Sequence, residues 1–203
     1  MEKYVYYMFN KPKGCITAKK DLSHKTVMEY FDKDEPENLH PVGRLDKDTE
    51  GLLFFTNDGM FNQKLMNPEY HVKKTYFFYA LGFLNEEKIR ILQKGVLLKG
   101  EDSLTKEAEV CIKSTGNITD ILEIIKDTKY EKAGRNPRNT EIVSGYITIS
   151  EGKKHQVKRM LKSVGCYVVY LKRISIGDVF LDNNLLLGEH RKLTEKELTL
   201  LKT

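Results

Sequence analysis

Residues 40 to 59 read HPVGRLDKDTEGLLFFTNDG, which sets four carboxylates, Asp46, Asp48, Glu50 and Asp58, around one arginine and an apolar run. A buried strand has no need of four flanking acids. One of them is therefore a candidate for chemistry, an ionised carboxylate being able to act as a nucleophile. Asp58 follows the run in Asn-Asp-Gly, an ordinary turn and helix-cap setting. Asp48 and Glu50 lie in KDTEG and are expected to be exposed turn residues. Asp46, in GRLD, is bracketed by Leu45 and the buried strand, with Gly43 allowing a tight turn and Arg44 offering a planar cation. These residue types leave open whether Asp46 reacts or only closes an Asx-turn.

A second concentration of charge lies in EGKKHQVKRMLKSVG, residues 151 to 165. Lys154, Lys158 and Lys162 recur at helical spacing on one face, beside Lys153, His155 and Arg159, and the only nearby acid is Glu151. Like charges on one face repel, so an anionic partner such as a phosphate backbone competes with the reading of a solvated helix face. Lys172 and Arg173 follow the next strand. The segment 129 to 141 is basic, contains Gly and Pro, and lacks apolar periodicity. Its Lys129, Lys132, Arg135 and Arg138 could clamp the same strand.

The elements that must position these groups follow from patterning. VYYMF (5 to 9) reads as a strand running into the NKPKG turn, and HKTVMEYF (24 to 31) as a helix. LLFFT (52 to 56) has the pattern of a strand buried on both faces. Asp58 caps a helix that ends before Pro68, and KTYFFYAL (74 to 81) is strand-like. A capped helix follows from Asn85 to Gly95, then strands at EAEVCIK, DILEIIK and IVSGYITIS. The basic stretch 153 to 165 is the clearest helix, with Val157, Met160, Leu161 and Val164 as its apolar stripe. CYVVYL and RISIGDVFL read as two strands, and TEKELTLLK as a closing helix. Strands seldom alternate with helices, so the expectation is an α+β fold, a mixed, mainly antiparallel sheet flanked by helices.

The 203 residues are 40% hydrophobic and carry a net charge of +5, as expected of one well-packed domain compatible with a nucleic-acid partner. Cys15, Cys111 and Cys166 lie far apart and form no Cys-x-x-Cys, which argues against a zinc site or disulfide framework. The N-terminus lacks the order of a signal peptide, and no apolar run reaches membrane-spanning length. A cytoplasmic protein is the expectation.

NKPKGCIT (10 to 17), HPVGRLDKDTEGLLFFTNDG (40 to 59), EGKKHQVKRML (151 to 161) and LKRISIGDVFLDNNLLLGEHRKLTEKEL (171 to 198) resemble successive blocks of the pseudouridine synthases. The match is to the RsuA/RluE group, which acts on ribosomal RNA, and it runs in order over nearly the whole chain. The resemblance implies a pseudouridine synthase fold of two lobes around a basic active-site cleft, within a single catalytic domain, residues 1 to 203, with a junction near 67 to 73. It implies that Asp46 is the essential carboxylate and that Arg44 helps hold the target nucleotide out of its stack. Tyr76 matches the tyrosine that stacks on the uracil, and Leu171 a leucine of the catalytic pocket. Lys158 falls where the family places a lysine or arginine that pairs with the aspartate.

Only nine residues precede NKPKG, so the chain resembles members without a separate N-terminal RNA-binding domain. RNA binding is then expected from the catalytic domain itself, through Arg44, Lys154, His155, Gln156, Arg159, Lys162, Lys172, Arg173, Arg135 and Arg138. The implied reaction needs no cofactor and no metal. The implied partner is ribosomal RNA, with the large subunit slightly favoured, and a monomer is expected. The same chemistry on small-subunit or transfer RNA is the alternative within enzymes. A non-catalytic RNA-binding or ribosome-assembly protein is the alternative outside them. A DNA-binding regulator lacks any helix-turn-helix or basic-zipper pattern.

Overall fold

The computed structural model describes residues 4–32, 34–126, 128, 130 and 141–202. The chain divides into two compact units, Met1–Lys74 with Lys172–Thr203, and Thr75–Leu171. The fold is α+β and its strand pairing is mainly antiparallel, as expected.

In the first unit, β1 (Tyr6–Lys11) pairs antiparallel with β3 (Glu50–Thr56) on one side and with β9 (His190–Lys192) on the other. The short β2 (His40–Val42) pairs with the C-terminal end of β3. The first residues of β3 pair in parallel with β7 (Tyr167–Ile176), Glu50 opposite Lys172 and Gly51 opposite Arg173. The β8 strand (Val179–Phe180) folds back on β7.

Every residue of β3 is buried, as its unbroken apolar run predicts. Leu52 and Phe54 join a core with Met8, Val42, Ile176 and Val179, which α1 (Gly59–Met66) covers through Phe61 and Leu65 and α5 (Glu195–Lys202) through Leu201. Phe55 packs on Phe9 and Phe31. Gly51 has φ of 99°, and a Cβ there would lie 2.2 Å from the Arg173 carbonyl oxygen. Only glycine permits β7 to approach this closely.

In the second unit, β4 (Lys74–Leu81) contributes residues 75 to 81 and lies between β6 (Glu141–Ile149) and β7. The outer strand β5 (Glu109–Asn117) pairs antiparallel with β6, with a register shift between Ile112 and Ser114. Its helices are α2 (Glu86–Lys94), α3 (Leu122–Ile125) and α4 (Gln156–Ser163). Val157, Met160 and Leu161 of α4 are buried, as the stripe predicts.

Four element expectations are corrected. DILEIIK is not a strand: a 3-10 turn, Ile118–Ile121, leads into α3. The Asn117 side chain accepts from Thr119 N–H and Asp120 accepts from Asn117 N–H, a capping box that starts a helical turn. HKTVMEYF forms only a 3-10 turn, Val27–Tyr30, and α4 begins at Gln156 instead of Lys153. CYVVYL and the first part of RISIGDVFL are one strand, β7.

Candidate active site

The turn carrying Asp46 links β2 to β3 and is held by backbone contacts from the segment after β1. Leu45 is buried, and both of its polar backbone groups meet one hydroxyl. Its N–H donates to Thr17 Oγ1 (3.1 Å), and Thr17 Oγ1 donates to its carbonyl (2.8 Å). Gly14 N–H donates to the Lys47 carbonyl (2.7 Å), and Thr49 N–H closes the turn onto the Asp46 carbonyl (3.1 Å).

Beneath the turn lies Lys11, completely buried. Its ammonium donates to the carbonyls of Pro12, Asp46 and Thr49, each at 3.0 Å, and reaches that of Lys47 at 3.5 Å. Burial pushes the Lys11 pKa below its ordinary value, and the neighbouring Cys15, Asp48, Asp46 and Glu50 oppose that shift. The backbone on both sides of Asp46 is thus fixed, and its side chain is half-buried beside the exposed Arg44. A carboxylate set on a pinned turn can be presented to a substrate without reorganisation of its own backbone.

The other three acids of the stretch separate by role. Asp58 caps α1, accepting from the N–H groups of Met60 (3.0 Å) and Phe61 (3.2 Å). It also accepts from the Tyr6 hydroxyl (2.8 Å). Burial, then that bond, pushes the phenol pKa up to about 12. Asp48 is exposed. Glu50 is not an exposed turn residue: it is buried as the first residue of β3, opposite Lys172. The turn ends one residue earlier than KDTEG suggests, because the Thr49–Asp46 bond closes it.

Of the other residues carried by the resemblance, Tyr76 is buried on β4 and Leu171 is buried at the end of the 75–171 unit, on the neighbouring strand β7. Lys158 is half-buried on α4.

The basic residues fall into distinct groups. Lys154 and Lys162 are exposed, but Lys154 precedes α4, so the expected row of three lysines on one helix face shrinks to two. His155 is exposed and left-handed, with φ of 51°. Gln156 is buried and serves the fold, not a surface. Its Oε1 accepts from Lys153 N–H (2.9 Å), and its Nε2 donates to Glu151 (2.7 Å). Glu151 is also not the sole counter-charge, since Glu101 pairs with both Lys153 and Arg159 at 3.2 Å. Arg159 further donates to the carbonyls of Lys99 (2.5 Å) and Lys154 (3.3 Å), so its fork is committed to the protein.

Arg173 is likewise no surface contact. It is buried and donates through Nε to the Leu52 carbonyl (2.8 Å). With burial as the larger cause, its charge lowers the Lys74 pKa to about 8. Lys172 is half-buried. Arg135 and Arg138, with Lys129 and Lys132, lie outside the described residues. Among the described residues no group of His, Cys, Asp and Glu could hold a metal ion, and no helix is long and apolar enough to cross a membrane.

Sequence reasoning missed Lys11, Thr17 and Glu101. Lys11 had a local signal: it continues the alternation of Tyr7 and Phe9 on one face of β1, where a lysine needs buried acceptors. Thr17 and Glu101 had none, because their partners lie 28 and 58 positions away.

Residues 5–163 match the family model described as RNA pseudouridylate synthase. The chain is 42% identical over 199 residues to an uncharacterized RNA pseudouridine synthase of Bacillus subtilis, covering 98% of this chain and 73% of that protein. It is 37% identical over 193 residues to the ribosomal small subunit pseudouridine synthase A of Escherichia coli, covering 95% and 72%. Among solved structures it is similar to one described as a pseudouridylate synthase, with a TM-score of 0.79 and 34% identity over 99% of this chain and 75% of that one. An archaeal box H/ACA Nop10–Cbf5 complex, at 15% identity and a TM-score of 0.52 over 91% of this chain and 51% of that one, shares the fold alone. This chain belongs to the RNA pseudouridylate synthase family and is an isomerase acting on RNA.

Proposed function

We propose that the chain isomerises a uridine of small-subunit ribosomal RNA, with Asp46 as the reacting carboxylate. The observation that carries the assignment of Asp46 is its turn. Lys11 and Thr17 hold the backbone on either side of it, Asp58 is spent as a cap and Glu50 is buried in β3, and of the two acids left in the turn Asp46 is half-buried where Asp48 is exposed. The small subunit replaces the slight large-subunit preference that the resemblance to members without an N-terminal domain implied, because the named relatives from Escherichia coli and Haemophilus influenzae carry that substrate in their names.

In the reaction the bond from the sugar to the uracil nitrogen breaks and a bond from the same sugar carbon to carbon 5 forms. The proton from carbon 5 leaves and the nitrogen gains one, so nothing is consumed and no cofactor enters. Asp46 attacks the sugar or base, or assists elimination. Arg44, exposed two residues before it, helps keep the nucleotide out of the stack. The resemblance assigns Tyr76 to the face of the uracil, Leu171 to the apolar wall, and Lys158 to the cation that pairs with the carboxylate. Lys154, Lys162 and Lys172 are proposed to meet phosphates.

The test is Asp46→Asn against wild type, with pseudouridines mapped in ribosomal RNA from cells carrying each form. The substitution removes one specific small-subunit pseudouridine while RNA binding stays within about threefold. Retention of that pseudouridine would sink the assignment, and loss of a large-subunit one instead would return the substrate to the earlier preference.

A further inference from the structure

The turn that carries Asp46 also holds a polar group that the fold leaves unanswered. Thr49 is buried, and both of its polar backbone groups are used. Its N–H donates to the Asp46 carbonyl (3.1 Å), and its carbonyl accepts from the Lys11 ammonium (3.0 Å). Its side chain is different. Thr49 Oγ1 is the one buried hydroxyl oxygen without a hydrogen-bond partner among the described residues. Other buried threonines show what the fold does elsewhere. Thr17 Oγ1 serves Leu45, Thr56 Oγ1 donates to the Val5 carbonyl (2.7 Å), and Thr105 Oγ1 accepts from Val96 N–H (3.0 Å).

A buried hydroxyl with no partner destabilises a fold, whereas an apolar group of the same shape does not. Valine has that shape, so packing alone gives no reason for a threonine at this position. A polar group left unpaired in the free protein, on the turn that bears the reactive acid, has its reason in the working state. The same turn supplies a partner. Thr49 is the third residue after Asp46, and side chains at that separation meet across other turns of this chain. Asp21 lies 3.2 Å from His24 Nδ1, and the Thr194 hydroxyl donates to Glu197 (3.0 Å). An ionised carboxylate only accepts, and the Thr49 hydroxyl has a proton to give.

We propose that Thr49 is a positioning residue for Asp46: with RNA bound, its hydroxyl donates to one carboxylate oxygen and leaves the other for the nucleotide. The inference rests on the reading of Asp46 as the reacting group. Lys11 and Thr17 hold the backbone of the turn, and Thr49 then fixes the freedom left over, the rotation of the carboxylate itself. The pairing needs side-chain rotation alone, because the backbone between the two residues is already closed. A small misplacement of a reacting group costs a large factor in rate.

The test uses the full chain and transcripts of small- and large-subunit ribosomal RNA tritiated at carbon 5 of uridine, with tritium release read under single-turnover conditions. Thr49→Val is expected to slow release about 30-fold at saturating enzyme, with RNA affinity within about threefold of wild type. Its Tm is expected at or above that of wild type, by up to about 6 °C, because an unpaired hydroxyl leaves the interior. Thr49→Ser keeps the donor and is expected to release tritium within about threefold of the wild-type rate. A Thr49→Val chain as fast as an active wild type overturns the positioning role alone, as does one that loses only affinity. A Tm below that of wild type in Thr49→Val also overturns it, since the hydroxyl then serves the fold. Thr49→Ser as slow as Thr49→Val assigns the effect to the methyl group and overturns it as well. A wild-type chain releasing no tritium from either transcript, or Asp46→Asn as fast as wild type, overturns the functional reading and the positioning role with it.

Discussion

The Lys11 ammonium lies 3.0 Å from both the Asp46 and the Thr49 carbonyl oxygens, so one buried cation ties together the two ends of the turn that carries the carboxylate proposed to react. Its cost is desolvation, and its return is a backbone that cannot drift. Lys11→Met keeps the length and apolar stem but leaves buried carbonyls without a donor, each worth about 1–3 kcal/mol. The expected outcome is a total loss of about 3 kcal/mol, a Tm lower by about 6–12 °C, and a fall in kcat that persists at temperatures where the variant is folded. Full kcat in the folded variant would show that the turn needs no such pin.

The C-terminal helix is tied to the first unit by Arg191, which donates to both oxygens of Glu197 (2.8 and 2.9 Å) and to Asp182 (2.8 Å). The Arg191 bond, aided by Thr194, pulls the Glu197 pKa down to about 2 from 4.5. The folded pKa lies below the unfolded one, so this stability is fully present above about pH 4.5 and is lost as pH falls toward 2. After allowance for solvent screening it amounts to about 1–2 kcal/mol. Glu197→Gln should lower Tm at neutral pH by about 2–8 °C and flatten the acid limb of a Tm-against-pH curve. An acid limb as steep as that of wild type would remove Glu197 from the account.

The basic residues near α4 should divide by what each already holds. Lys154 and Lys162 are exposed, whereas Arg159 is engaged by Glu101 and two carbonyls. Replacing both lysines with alanine should lower the salt slope of RNA binding by about 1.4 to 1.8, two phosphate contacts. Arg159→Ala should leave the slope within about 0.3 and lower Tm instead. Equal slopes for all three chains would mark the lysines as an ordinary solvated face.

These contrasts show where the sequence is legible. β3 and the Asp58 cap rest on neighbouring residues, an unbroken apolar run and a carboxylate within reach of the next free N–H groups, so local pattern suffices. DILEIIK misled because a short apolar run suits either period, and the capping box that decides it, Asn117 with Asp120, lies partly outside the run. Gln156 and Arg173 carry polar groups that suit RNA, yet burial spends them on Glu151 and on the Leu52 carbonyl. No count of charges along the chain reveals that Glu101 answers Arg159 across 58 positions.

The family was legible in blocks of residues adjacent in the chain, because a motif of twenty residues carries its own turn, strand and cap, and the proposal of Asp46 for the chemistry rests on the resemblance those blocks carry. What makes Asp46 a fixed carboxylate was decided only by tertiary structure. A lysine at the end of one strand and a threonine after it satisfy the backbone of a turn some thirty positions away, and hydrogen bonds at that separation exist only once the strands have paired.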